Sequence, residues 1–415
     1  LGLDTTYAVG GTFTRSTPIG NAGSNSIGLA KLGEGRLVLD TANTYTGVTT
    51  VYAGTLTAGA GQTSAFGTSG SLAFSAGSTG TVQLNGNDYT FTSLSASGGT
   101  PVIENGADTN AVLTVNNSGA VTYAGVLADG AGAGTLGLTK SGGGTLTLSG
   151  TSTYSGGTVI NAGRVAMGNS AALGTGAITF AATAQLQPAT TVPQDIIINS
   201  GAVAKIGGNA TWTFTGNVTG AGGIAADPFS FGSAFNLNGT GNTFEGGISI
   251  GVGNATAGNK YGVAVASLAD SATANGVIEI GSASTYNGAG YGVGGAYFNY
   301  TGSTNLVLDN RQIKLSTTNG ANALVLNSGT NGSTMTINTD LLIGTTGAKP
   351  LVLGSTSTGL STFAGKIADG TGAVVSVVKV GAGTWALSGA NAYSGTTTIT
   401  AGTLSIGASD NIGDG

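Results

Sequence analysis

The chain has 415 residues, a net charge of −5 and neither cysteine nor histidine. The absence of these two residue types excludes disulfides, thiolate or imidazole catalysis and ordinary zinc sites. The 12 basic residues are spread thinly and offer no patch for nucleic acid, whereas a hydrophobic content of 40% is enough for a folded core.

The N-terminal residues, LGLDTTYAVGG, lack the basic segment and apolar run of a signal peptide. The sequence contains no run of 18 apolar residues, so it predicts no membrane-spanning helix. The sequence does not begin with methionine, and residues 411–415 show no clear terminator. We therefore expect a partial chain of a longer protein.

One motif occurs three times without gaps. The copies are LAKLGEGRLVLDTANTYTGVTTVYAGTL at 29–56, LTKSGGGTLTLSGTSTYSGGTVINAGRV at 138–165 and VVKVGAGTWALSGANAYSGTTTITAGTL at 377–404. Each copy has a lysine, a tyrosine and a glycine at identical spacing, namely Lys31, Tyr45 and Gly54, then Lys140, Tyr154 and Gly163, then Lys379, Tyr393 and Gly402. A degenerate fourth copy spans 235–251, where Phe244 replaces the tyrosine and the lysine is lost. With flanking similarity, the repeat regions extend over 27–58, 123–180 and 363–406.

Apolar residues in the motif alternate with threonine or serine, as Leu146 and Leu148 do, and this period of two predicts short strands with one buried face. After Gly163 the alternation shifts by one residue. A shift of one residue would point the polar side chains into the core unless the chain bends at that glycine. Glycine suits such a bend because it tolerates the positive φ of a tight corner. The equivalent corners are at Gly54 and Gly402.

Short strands joined by regular corners, with no helix between them, predict an all-β fold, a right-handed parallel β-helix or β-solenoid. We expect residues 1–415 to form one continuous β-solenoid, a single elongated rod. Coils of about 22 residues would give roughly 18–20 turns.

The stretch at residues 138–163 resembles the autotransporter-associated β-strand repeat, also called the passenger-associated transport repeat, of Gram-negative bacteria. The resemblance implies a β-helix that is exported across the outer membrane and exposed at the cell surface. A chain without cysteine fits export through a narrow pore in an unfolded state. The resemblance implies no particular activity, because adhesins, proteases and purely structural proteins share the repeat.

Candidate chemistry is sparse, and the sequence predicts no enzyme and no catalytic, cofactor-binding or metal-ligating residue. A serine-protease site is excluded by the absence of histidine and of a GDSGS-like motif. A glycan-cleaving site would need clustered carboxylates, and only Glu104 with Asp108 and Asp410 with Asp414 lie close in sequence.

Three recurring features have a structural and a functional interpretation. The Asp129–Gly130 and Asp369–Gly370 turns are expected to be ordinary hydrogen-bonded turns, with calcium binding as the alternative. The repeat lysines are expected to cap corner carbonyls or reach solvent. The repeat tyrosines are expected to pack a turn with the hydroxyl at the surface, with a sugar-binding platform as the alternative.

These observations favour an extracellular structural or adhesive surface protein, similar to an autotransporter passenger. Open solenoid ends are unpaired strand edges, so we expect self-association, end to end or lateral, into a fibre or layer. The alternative is a glycan-binding or glycan-degrading β-helix, and a surface glycan or host ligand is the corresponding partner. The sequence predicts no cofactor, no nucleic-acid partner and no membrane-spanning segment.

Overall fold

The structure is a computed structural model that describes residues 1–208, 210–226, 232–252, 260–272, 276–281, 295–317, 321–330, 332–407 and 412. It divides into two compact units, Leu1–Ala189 and Thr190–Gly415. Strands and turns make up both units, with a single short 3₁₀ helix at Val9–Gly11 among the described residues. No helix in these ranges is long and apolar enough to cross a membrane.

The first unit consists of short parallel strands. The hydrogen-bonded orders are β1-β3-β5-β7-β10, β14-β11-β8-β6-β4-β2, β9-β12-β15-β17-β19 and β13-β16-β18-β20. The strands are β1 (Gly2–Asp4), β2 (Thr12–Arg15), β3 (Leu29–Leu32), β4 (Arg36–Leu39), β5 (Thr49–Val51), β6 (Thr55–Ala58), β7 (Ser71–Phe74), β8 (Thr81–Gln83), β9 (Tyr89–Phe91), β10 (Ser93–Ser95), β11 (Val102–Glu104), β12 (Ala111–Asn116), β13 (Val121–Tyr123), β14 (Val126–Ala128), β15 (Leu136–Ser141), β16 (Thr145–Leu148), β17 (Thr158–Ile160), β18 (Arg164–Met167), β19 (Ile178–Phe180) and β20 (Ala184–Gln187).

The second unit is built in the same way. Its orders are β22-β25, β23-β26-β28-β30-β33-β36, β21-β24-β27-β29-β31-β34-β37-β39-β41 and β32-β35-β38-β40-β42. The strands are β21 (Thr191–Val192), β22 (Ile196–Ile198), β23 (Val203–Ile206), β24 (Thr211–Phe214), β25 (Val218–Thr219), β26 (Gly223–Ala226), β27 (Gly232–Leu237), β28 (Ile248–Ile250), β29 (Lys260–Val265), β30 (Ile278–Ile280), β31 (Gly295–Tyr300), β32 (Leu306–Leu308), β33 (Ile313–Leu315), β34 (Asn322–Asn327), β35 (Met335–Ile337), β36 (Leu342–Ile343), β37 (Gly347–Ser355), β38 (Leu360–Phe363), β39 (Ala373–Val380), β40 (Thr384–Leu387), β41 (Thr397–Ile399) and β42 (Thr403–Ile406).

Each strand pairs with strands of the preceding or following turn, which confirms the predicted β-solenoid. The described residues form about 15 turns, fewer than expected. Turns in the repeats are short, with Leu146 paired to Val165, but later turns are much longer, with Ile278 paired to Ile313. The expected number was too high because every turn was assumed to be nearly as short as those of the repeats.

The predicted shift of alternation at the corner glycine is confirmed. In the second repeat Lys140 pairs with Ile160 before the corner, whereas Leu146 pairs with Val165 after it, so the separation of paired residues falls by one. Gly163 lies between the two later strands with φ of +69°. A Cβ atom there would lie 2.4 Å from the carbonyl oxygen of Gly144, so both the backbone conformation and the close approach require glycine.

Along most strands of each unit, alternate side chains point into an apolar core. In β16, Leu146 and Leu148 are buried while Thr145 and Thr147, which alternate with them, are half-buried. The same pattern holds in β40, where Trp385 and Leu387 are buried. The repeat lysines occupy inward positions of this core, which places a charged group where the pattern would otherwise put an apolar one.

Candidate functional site

The repeat lysines form what we call lysine latches: each ammonium group binds three backbone carbonyls. Two of the carbonyls belong to the corner that follows the lysine, and the third belongs to the next turn. The Nζ–O distances are 3.0, 2.6 and 2.9 Å from Lys31 to Leu32, Gly33 and Ala53, 2.6, 2.7 and 3.3 Å from Lys140 to Ser141, Gly142 and Ala162, and 2.7, 2.7 and 3.1 Å from Lys379 to Val380, Gly381 and Ala401. The prediction that these lysines cap corner carbonyls is confirmed.

The lysine side chains are completely buried rather than extended toward solvent. Burial lowers the pKa of all three, that of Lys140 to about 8. Three carbonyl acceptors match the three N–H bonds of an ammonium group, so the buried charge is fully hydrogen-bonded. Each latch therefore holds two successive turns together.

The repeat tyrosines close what we call the aromatic loops, residues 43–49, 152–158 and 391–397. Each hydroxyl hydrogen-bonds to the hydroxyl of a threonine four residues on, at 2.6 Å for Tyr45 and Tyr154 and 2.7 Å for Tyr393. The expectation of a surface hydroxyl was wrong, because the threonine at the start of the next strand points inward. Burial raises the pKa of Tyr45 to about 12.

Two residues before each tyrosine, a short polar side chain binds the backbone N–H of the preceding turn. Asn43 Oδ1 accepts from Ile19 at 2.7 Å, and Asn391 Oδ1 accepts from Ile367 at 2.8 Å. In the second copy Ser152 Oγ plays this part, accepting from Leu127 at 3.2 Å. This contact was not predicted from the sequence, although an amide or hydroxyl at this offset in every copy is a signal that could have revealed it.

The comparison with family models identifies the same repeats. The model described as passenger-associated-transport-repeat matches residues 29–58, 138–167 and 377–406. The chain carries three passenger-associated transport repeats. Neither curated proteins nor solved structures gave a match. The passenger-associated transport repeats and the solenoid fit an autotransporter passenger-like surface protein.

The Asp-Gly turns that precede two of the passenger-associated transport repeats form what we call carboxylate staples. Asp129 accepts from the N–H of Leu136 at 2.7 Å and from the hydroxyl of Ser155, in the next turn, at 2.8 Å. Asp369 makes the equivalent bonds to Val375 and Ser394, at 2.7 and 2.5 Å. The side-chain-to-backbone bonds expected of these turns are confirmed. Before the first repeat, Asn21 Oδ1 accepts from the equivalent backbone groups.

Other acidic residues of the chain also bind the next turn. Their Oδ1 atoms accept from backbone N–H groups at 2.7 to 3.1 Å, from Asp88 to Val112, Asp108 to Ala133, Asp195 to Asn217 and Asp340 to Lys366. Carboxylates dispersed in sequence therefore share one role along the solenoid. Among the described residues, no group of three or more acidic side chains is arranged to hold a metal ion.

The carboxylate pairs singled out for glycan cleavage do not form a paired site in the described part of the chain. Glu104 accepts from Gln83 at 2.6 Å, whereas Asp108 is bonded to Ala133. Asp410 and Asp414 lie outside the described residues. Since the rings of Tyr45, Tyr154 and Tyr393 are buried, a sugar platform made of these tyrosines is also wrong.

Two depressions lie in the surface of the second unit. One, of about 320 Å³, lies over Gly223 and Gly247, and Glu279 on its rim is paired with Lys314 at 3.0 Å. The other, of about 190 Å³, is lined by uncharged polar side chains that include Tyr300, Thr243 and Asn305. Neither brings two carboxylates together, so neither has the arrangement that glycoside hydrolysis needs.

Proposed function

We propose that the chain is a structural part of an exported, extracellular surface protein, similar to an autotransporter passenger. One observation supports this most directly: the recurring polar side chains of the three repeats bind the neighbouring turn. The lysine latches, the asparagine or serine two residues before each repeat tyrosine and the carboxylate staples all join successive turns. A chain organised in this way is suited to mechanical extension and display.

We propose further that the chain is not an enzyme and that its surface role is adhesive or fibre-forming. The carboxylates that could serve as acid and base are engaged one by one in backbone contacts. Glycoside hydrolysis by carboxylates needs two such groups flanking one glycosidic bond. Adhesion and assembly require only an extended surface and its edges.

The location can be tested on intact cells of the organism that encodes the chain. Antibodies raised against residues 1–415 should label intact cells, and protease treatment of those cells should remove the label. A cytoplasmic protein, probed in parallel, should be labelled only after lysis. If the chain itself becomes accessible only after lysis, the proposal is wrong.

A glycan-binding role is the second candidate, and the depression of about 190 Å³ favours it. Hydroxyl and amide groups of Thr243 and Asn305 line it, a neutral surface of the kind that binds sugar hydroxyls. The glycan-binding role is supported if the unmodified chain binds on a glycan array, if Asn305→Ala and Thr243→Ala lose that binding, and if the control Ile197→Ala, outside the depression, keeps it. Absence of binding by the unmodified chain would exclude this role.

A further inference from the structure

The outer face of one sheet in the second unit carries an open slot between two valines. Val203, Gly223, Gly247 and Val277 follow one another in the outward row that crosses β23, β26, β28 and β30. The two glycines leave the depression of about 320 Å³, which we call the glycine slot. A Cβ atom at Gly223 would lie 2.7 Å from the carbonyl oxygen of Gly247, and one at Gly247 would lie 2.8 Å from that of Val277. The close approach of the strands therefore keeps side chains out of the slot.

A second outward row gives the glycine slot a polar end. This row contains Ala225, Ser249 and Glu279, one after another on β26, β28 and β30. Lys314 and Ser316 both bind Oε1 of Glu279, so Oε2 has no partner within the described part of the chain. Since the ammonium group of Lys314 balances the carboxylate, the slot suits a neutral donor better than a second cation. Apolar walls, a bare floor and one carboxylate acceptor fit an aromatic ring with a hydroxyl group at its far end.

Tyr52, in the first repeat, presents such a ring at the surface. Its side chain is 47% exposed, and its hydroxyl has no partner among the described residues. The equivalent residues of the second and third repeats are Asn161 and Thr400, so the repeat does not need an aromatic residue at this position. The outward side chains beside it on β3, β5 and β7 are uncharged, namely Ala30, Leu32, Val48, Thr50 and Ala73. Tyr52 therefore stands on an uncharged, largely apolar surface of the first unit.

We propose that Tyr52 of one molecule inserts into the glycine slot of a second copy. Its ring then lies over Gly223 and Gly247, and its hydroxyl donates to Oε2 of Glu279. The charges of the two surfaces are compatible, because the surface around Tyr52 has none and the only carboxylate that lines the slot is balanced by Lys314. Two copies that each carry a net charge of −5 thus meet where their repulsion is small.

This proposal rests on the proposed adhesive or fibre-forming role and names the contact. The contact joins two different surfaces, so it either closes in reciprocal pairs or extends into a chain of copies. A large aromatic side chain that fills a pocket is the kind of residue that dominates the binding energy of an interface. Substitution of Tyr52 alone should therefore be enough to abolish most of the association.

The first experiment follows association of the 415-residue chain by analytical ultracentrifugation over a concentration series. The unmodified chain should associate. Tyr52→Asn, which introduces the residue of the second repeat, and Ala225→Leu, which fills the slot, should each raise the concentration needed for association by about 30-fold. Ile197→Asn removes a side chain that is 38% exposed on β22, outside both surfaces, and should associate normally. Circular dichroism checks that each variant is folded.

Mixing the two variants tests the pairing of tyrosine with slot. Tyr52→Asn keeps its slot and Ala225→Leu keeps its tyrosine, so a 1:1 mixture should form dimers and no larger species. If the unmodified chain stays monomeric at its solubility limit, or if either variant alone associates as the unmodified chain does, the proposal is wrong. A mixture that stays monomeric would also overturn it.

A double-mutant cycle tests where the tyrosine hydroxyl lies. Tyr52→Phe removes only the hydroxyl and should weaken association by about 10-fold, because a hydrogen bond to a charged group is lost. In chains that also carry Glu279→Gln, the same change should cost about 3-fold or less, because the acceptor is no longer charged. Equal losses in the two backgrounds would contradict the contact between Tyr52 and Glu279.

The proposed location is tested separately, since labelling of intact cells does not depend on association. A chain that labels intact cells but stays monomeric would overturn the contact and leave the location standing. A chain that associates through Tyr52 but is accessible only after lysis would overturn the location and leave the contact standing.

Discussion

The aromatic loop of the second repeat and the corresponding loop of the degenerate copy are closed by different contacts. In residues 152–158 the loop is closed by the bond between Tyr154 and Thr158, four residues apart. In residues 242–248 the aromatic residue is Phe244 and the residue four positions on is Ile248, so neither side chain has a hydroxyl. The degenerate copy therefore lacks the local bond.

Arg311 replaces that bond from a later turn. Its buried guanidinium lies 5.1 Å from the centre of the Phe244 ring and donates to the carbonyl of Phe244. It also donates to the carbonyls of Gly246, Ala269 and Gly276 at 2.9, 3.0 and 3.3 Å. The loop of the repeat is thus encoded within a few residues, whereas the degenerate loop depends on a residue 67 positions away. Loss of a local motif does not imply loss of the fold when a distant side chain holds the same loop.

The largest effect should follow from removing this distant residue. Arg311→Met leaves four carbonyls, two of them fully buried, without their donor, and we expect the free energy of unfolding of the chain to fall by about 3 to 5 kcal/mol. Denaturant unfolding followed by circular dichroism measures it. Lys314→Met, which removes a half-exposed ion pair with Glu279, should cost less than about 1 kcal/mol. Equal costs for the two variants would mean that the Arg311 contacts contribute little.

A lysine latch should matter somewhat less, because three carbonyls are involved rather than four. We expect Lys140→Met to lower the free energy of unfolding by about 2 to 3 kcal/mol. Lys379→Met should cost a similar amount, because its ammonium group binds the equivalent three carbonyls. Native-state proteolysis that localises the opened turns should place cleavage beside each substituted latch. A negligible cost for both variants would contradict the assignment.

The hydroxyl bond of the aromatic loop should contribute a smaller amount. Tyr154→Phe removes one buried hydrogen bond and should cost about 1 kcal/mol. The reciprocal change Phe244→Tyr places a hydroxyl opposite Ile248, where it has no hydroxyl partner, and should also destabilise the chain by about 1 to 2 kcal/mol. The two unfolding midpoints, measured side by side, check both. Stabilisation by Phe244→Tyr would mean that the degenerate loop retains room and a partner for the hydroxyl.

The smallest effect at neutral pH concerns a carboxylate staple. Burial raises the pKa of Asp369, but hydrogen bonds from Ser394 and Val375 lower it more, so the net pKa lies below its ordinary value. A depressed carboxyl pKa stabilises the fold above the pKa of the unfolded chain and loses that stabilisation as pH falls through the folded pKa. Because Asn21 holds the equivalent position, Asp369→Asn should change stability at pH 7 by less than about 0.5 kcal/mol. It should also flatten the loss of stability below about pH 4.

The matched control for this staple is the reverse change. Asn21→Asp should leave the fold intact at neutral pH and add acid sensitivity to the first unit. Thermal unfolding over a pH series measures both variants. If Asp369→Asn loses thermal stability at acidic pH as much as the unmodified chain does, this carboxylate does not contribute to the pH dependence.

Much of the repeat structure could be predicted from the sequence because its contacts are local. The strands, the corner at Gly163 and the capping by Lys140 all lie within one match, residues 138–167, and recur three times. The position of the Tyr154 hydroxyl was mispredicted, because its partner Thr158 was not identified from the sequence. The partners of Asp129 and Arg311 could not be predicted, because they depend on which turn follows which, and the turns differ in length. The contact of Asn43 with Ile19 depends on the same register.

The lysine latch has a consequence for how such a chain can grow. All the atoms that Lys140 binds lie between residues 141 and 162, so a duplicated segment of this kind brings its own partners with it. Insertion or removal of such a segment keeps each latch complete. A segment that depends on Arg311 has no such freedom, because moving it separates the guanidinium from its carbonyls. The latch is therefore inherited with its repeat, in keeping with three closely similar copies at irregular intervals in one chain.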